Sequence, residues 1–156
     1  MPPLRFCALP TFPVRAVQAG GPDANGQPAE RALSDGQGNP CRHCLTEIAV
    51  GQPMLVLAWR PFPAPQPYAE LGPIFLHADA CSRWQGEGVP PMFLAWDQLL
   101  IRGYSHSDRI MYGTGQATAT AALAAVAGRL LERPDIAYLH ARSARNNCYQ
   151  CRIERD

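Results

Sequence analysis

The sequence contains no lysine: all 14 basic residues among its 156 are arginine. Schiff-base catalysis, a phosphate-loop lysine and a lysine general base are therefore excluded. There is also no excess of charge of either sign, since 14 basic residues face 13 acidic ones for a net charge of +1. A chain so balanced carries no electrostatic footprint for nucleic acid or an anionic membrane, and neither is expected as a partner. Long apolar runs are missing too. Met1-Pro2-Pro3-Leu4-Arg5-Phe6-Cys7 lacks the apolar stretch of a secretory signal, and Pro10 and Pro13 break up the residues after it. The most apolar segment, 117–128, is rich in alanine and falls short of the roughly 20 residues that span a bilayer. The expected compartment is the cytoplasm, where thiols stay reduced. Two-histidine metalloprotease, nucleophile-elbow and paired-carboxylate patterns are likewise absent.

What is present fits one folded domain over residues 1–156, with 47% apolar residue types. Sixteen prolines and 13 glycines imply many turns between short elements. Residues 54–59 form the clearest strand, continuous and apolar between Pro53 and Pro61. Residues 73–77 are expected to pair with it in antiparallel fashion. Further strands are expected at 4–8, 31–33, 99–104, 109–112, 136–141 and 148–153, with 105–108 turning one hairpin and 143–147 another. The rest of 10–40 reads as loop, and the alternating prolines of 61–68 as a rigid connection. One helix is expected over 118–133, where Ala119, Leu123, Val126, Leu130 and Leu131 recur at helical spacing and Pro134 stops it. The expected fold is α+β: a mainly antiparallel sheet of about seven short strands with one long helix near the C-terminal end.

Chemistry concentrates in the cysteines. Four of six form two C-x-x-C pairs, Cys41 with Cys44 and Cys148 with Cys151. A two-residue gap lets a tight turn aim both thiolates at one ion, so two pairs can complete an all-cysteine zinc site. Here the pairs lie far apart in sequence, and such a site would clip the two ends of the domain together. Cys41, Cys44, Cys148 and Cys151 are thus the expected Zn²⁺ ligands. His77 and Cys81 are the alternates, at an i, i+4 spacing that suits ligation from one helical turn. His43 lies inside the first pair, and Cys7 reads as core. The function expected is a zinc-stabilised binding or regulatory module with a small molecule or a protein as partner. The alternatives are a metal- or thiol-dependent small-molecule enzyme at the same cluster, with His77 carrying protons, and a thiol–disulfide redox protein. A redox C-x-x-C sits at a helix N-terminus, which the strand-like residues after Cys44 do not provide.

Other motifs have plainer explanations. Gly113-Thr114-Gly115 stands before the expected helix, but Thr118 replaces the third glycine of a dinucleotide fingerprint, and turn glycines suffice. Ser105-His106-Ser107-Asp108 has triad residue types, yet sequence neighbours cannot converge as a triad must.

Asn39-Pro40-Cys41-Arg42, Pro67-Tyr68, Gly72-Pro73-Ile74-Phe75 and Cys148-Tyr149-Gln150-Cys151-Arg152-Ile153, in that order, resemble a bacterial family catalogued as a domain of unknown function, number twelve-zero-three. The resemblance spans about residues 4–156. It implies a single cytoplasmic α+β domain without an assigned activity. It also implies a second ligand set, Cys41, Cys148 and Cys151, with His77 or a water completing the shell.

Overall fold

Backbone hydrogen bonds gather the extended segments into two separate antiparallel sheets. The structure, a computed structural model, describes residues 1–156. In chain order it runs β1 (Leu4–Cys7), α1 (Thr11–Gln18), β2 (Glu30–Leu33), β3 (Pro53–Trp59), β4 (Gly72–His77), α2 (Pro91–Leu94), β5 (Gln98–Tyr104), β6 (Gln116–Ala119), a 3₁₀ turn (Thr120–Ala122), α3 (Leu123–Leu131), β7 (Tyr138–Ser143) and β8 (Tyr149–Arg155). The chain divides into two compact units, one for each sheet. No helix is long and apolar enough to cross a membrane.

The first unit comprises Met1–Cys7, Phe62–Ala69 and Gly86–Asp156. Its five strands are ordered β1-β8-β7-β5-β6. Ile101 faces Ala141, Ala141 faces Cys151, Leu139 faces Ile153, and Ile153 faces Phe6. Residues opposite one another across a ladder share a sheet face, and these side chains are buried. Arg155 on the same face donates from Nε to the Leu131 carbonyl at 2.8 Å, which ties α3 over it. Leu123, Ala127 and Leu131, one turn apart, are the buried stripe of α3. On the opposite face Tyr104, Tyr138 and His140 cluster under Phe62, with ring centroids 4.6 to 5.3 Å apart.

The second unit comprises Ala8–Pro61 and Glu70–Gln85. Its sheet is ordered β2-β3-β4, and the expected antiparallel pairing of β3 with β4 is observed. Leu55 sits opposite Leu76 and Leu57 opposite Ile74, all buried. The core also takes Val14 and Val17 from α1.

The α+β class with mostly antiparallel pairing matches the sequence expectation, but details differ. There are eight strands. The expected long helix is a 3₁₀ turn followed by α3, because Thr118 and Ala119 are drawn into β6, opposite Leu99 and Gln98. Residues 109–112 make no strand: Asp108 turns the chain at φ 63°, and only Ile110 bridges back to Tyr104. The helix α1 lies where a loop was expected. Pro10 and Pro13 flank and enter its first turn, where amide hydrogens have no helical partner and proline is tolerated.

Candidate metal centre

The first C-x-x-C pair lies in a tight reversal between β2 and β3. Buried Ser34 pins the loop leading into it. Its Oγ donates to the Ile48 carbonyl at 2.7 Å and accepts from the Gly36 amide and from Asn39 Nδ2, both at 3.0 Å. The reversal closes through Cys41 N–H to the Thr46 carbonyl and Leu45 N–H to the Cys41 carbonyl, each 3.0 Å. Leu45 holds φ 53°, a left-handed conformation uncommon for leucine. Its side chain, 1% exposed, is anchored in the core and offsets that strain. A parallel bridge from Cys41 to Phe75 lays the reversal beside β4. β4 ends at His77, and the loop beyond it returns as far as Cys81.

Four ligand atoms, from Cys41, Cys44, His77 and Cys81, therefore lie within 4.8 Å of one another. Cys41 Sγ is 3.9 Å from Cys81 Sγ, and Cys44 Sγ is 3.4 Å from His77 Nδ1. A tetrahedral ion with bonds of about 2.3 Å to sulfur and 2.0–2.1 Å to nitrogen has edges of about 3.8 Å between sulfurs and about 3.6 Å between sulfur and nitrogen. Both distances match these edges within about 0.2 Å, so the cluster can hold a metal ion. Cys41 is fully buried and the other three are partly exposed. The His77 amide donates to Cys41 Sγ at 3.4 Å.

The Cys41 and Cys81 thiols donate to Cys44 and hold its pKa far below the usual range. Cys81 is pushed up because its proton is retained in contacts with Cys41 and Cys44. Cys41 is raised by its bond to Cys44. Three sulfurs and one imidazole nitrogen form a donor set whose remaining protons a bound cation would displace.

Two histidines take different parts. His77 offers Nδ1 to the cluster. His43, fully buried, points Nδ1 at Cys81 Sγ from 3.2 Å and pairs Nε2 with Thr11 Oγ1 at 2.9 Å. Burial, then the nearby Arg15 charge, holds the His43 pKa below its ordinary value. A cleft of about 260 Å³ opens beside the cluster, lined by Gln52, Pro53, His77, Asp79, Ala80 and Cys81.

Of the residues expected as ligands, the structure brings together Cys41 and Cys44 with both alternates, His77 and Cys81. Cys148 and Cys151 stand in the first unit. Cys151 is buried within β8, and Cys148 donates from Sγ to the Asn146 carbonyl at 3.7 Å. The physical difference is backbone shape. Extended chain places residues three apart about 10 Å from one another, whereas the reversal at Cys41 folds them together. His77 and Cys81 do not occupy a helical turn, as their spacing suggested, but the end of a strand and the loop after it. The contribution of Thr11 was not legible in the sequence, since it depends on α1. His43 was legible only as a histidine inside a knuckle.

No curated protein and no solved structure matches the chain. The family model described as Protein of unknown function (DUF1203) matches residues 38–155, the stretch that carries all four clustered residues, and the chain belongs to that family.

Proposed function

We propose that the chain is a zinc protein in which Cys41, Cys44, His77 and Cys81 bind one Zn²⁺ as a structural ion, and that the second unit, stabilised by it, serves as a binding or regulatory module. The convergence of three sulfurs and one imidazole nitrogen at tetrahedral edge lengths supports this reading. Three thiolates and a histidine are a donor set suited to zinc, and four protein ligands close its shell. Such a site belongs in a reducing compartment, which favours the cytoplasm. The balanced charge favours a small molecule or a protein as partner over nucleic acid or membrane.

Metal analysis of untagged protein, purified without chelators, tests the proposal. About one equivalent of zinc is expected, and Cys81→Ser should lose most of it. A folded chain that remains metal-free when offered zinc refutes the proposal.

A second reading, a metal- or thiol-dependent enzyme for a small molecule, draws on the cleft that reaches His77 and Cys81. Its metal form requires an open coordination position, and four protein ligands leave none, whereas its thiol form requires a sulfur free of metal. Turnover that survives Cys81→Ser would favour it.

A further inference from the structure

We infer that α1 is the outer shell of this metal site: Thr11 fixes the His43 ring, His43 donates its Nδ1 hydrogen to the Cys81 sulfur, and Arg15 and Gln18 hold the ligand-bearing loop by its carbonyls. The inference rests on the metal reading above and adds to it the residues that set affinity.

Thr11, Arg15 and Gln18 stand at i, i+4 and i+7, one stripe of α1. Two members of the stripe reach the backbone of the ligand-bearing loop, and the third reaches the His43 ring beside Cys81. Thr11 Oγ1 meets His43 Nε2 at 2.9 Å. Arg15 Nη2 donates to the Cys81 carbonyl at 2.6 Å, and its Nη1 donates to Gln18 Oε1 at 2.8 Å, which orients that amide. Gln18 Nε2 then donates to the carbonyls of His77 at 2.9 Å and Asp79 at 3.0 Å. The loop from His77 to Cys81 is thus held at both ligands and between them.

The direction of the His43 bond is set by the chemistry of its partner. A metal-bound thiolate has lone pairs and no proton, so it only accepts. Nδ1 at 3.2 Å must therefore carry the hydrogen, and in the neutral ring Nε2 accepts from the Thr11 hydroxyl. Donors to ligating groups fix their orientation, and removing such partners typically weakens metal affinity by about 10–100-fold. Thr11, Arg15 and Gln18 lie ahead of residues 38–155, the family-matched region, whereas His43 lies within it.

The test uses the full chain and Co²⁺ as the probe, followed by its sulfur-to-cobalt charge-transfer and d–d absorption and by chelator competition. Thr11→Val and His43→Leu should each weaken Co²⁺ binding about tenfold or more and shift the charge-transfer band. His43→Asn, whose amide can replace the Nδ1 donor, should recover most of that loss. If the His43 variants do not fold, Thr11→Val decides alone, because residue 11 lies at the surface and valine matches its shape. Folded variants with wild-type affinity and an unchanged spectrum overturn the outer-shell inference while leaving the metal reading standing. A wild-type chain that takes up no Co²⁺ overturns both.

Discussion

On the proposed reading, removing the ion from the Cys41, Cys44, His77 and Cys81 cluster should loosen the second unit by an amount set by the loop that the ion would close. Cys41 and Cys81 are 40 positions apart in sequence, and their sulfurs meet. Cross-linking a loop of that length removes unfolded-state entropy worth about 4 kcal/mol at room temperature. Urea unfolding of a small protein has a slope of about 1–3 kcal/mol per molar, so chelation should lower the midpoint by about 2 M. Tryptophan fluorescence provides the assay: Trp59 and Trp84 lie in the second unit and Trp96 in the first, and a Trp96→Phe background restricts the signal to the second. Cys81→Ser, measured with excess Zn²⁺, should show a comparable loss. Cys148→Ser should leave both the midpoint and its response to chelator unchanged. Coincident curves with and without metal would refute the reasoning, as would a Cys148→Ser variant that no longer responds to chelator.

His140 has a pKa held well below the ordinary histidine value by burial, then by the charges of Arg142, Arg152 and Arg102. A base with a depressed folded-state pKa leaves stability fully present above about pH 6.5, the unfolded value. Stability is then lost as the pH falls toward the folded-state value, by at most about 1.4 kcal/mol per pH unit. Unfolding of the first unit between pH 7 and 5 should show that slope, and His140→Phe should flatten it; equal slopes would refute the assignment. Ile101→Ala opens a cavity under α3 and should cost about 2–5 kcal/mol in the first unit, read by thermal unfolding, with zinc content unchanged. Leu45→Gly relieves the left-handed backbone but removes a buried side chain. It should be net destabilising by about 1–3 kcal/mol in urea unfolding, and a stabilised variant would show that the turn strain outweighs the packing.

The strands were legible because their apolar residues face cores that bury them. β3, β4, β7 and β8 fall close to where alternation and turn residues put them. Where the reading missed, longer-range structure had decided. Thr118 and Ala119 suit the start of a helix, but the edge of β5 needed a partner and took them as β6. Pro10 and Pro13 read as breakers, although a helix entering at Thr11 accommodates both. The site was half legible. Cys41 and Cys44 announce themselves by spacing, and His77 and Cys81 stood out as a ligand-compatible pair. Seeing that His77 and Cys81 join the first pair required knowing that this pair lies along β4, next to the residue that ends it. Two tetrapeptides of the same pattern diverge because one is folded into a turn and the other runs into extended strand.

The pairing of β1 with β8 sets an order of assembly during synthesis. Leu4 lies opposite Arg155, and the Asp156 amide donates to the Pro3 carbonyl at 3.0 Å. The strand β1, made early, must therefore wait unpaired until β8 has left the ribosome. The second unit has all its strands and all four clustered side chains once residue 85 has emerged. A nascent chain arrested after the second unit should already hold metal while β1 is still without a partner.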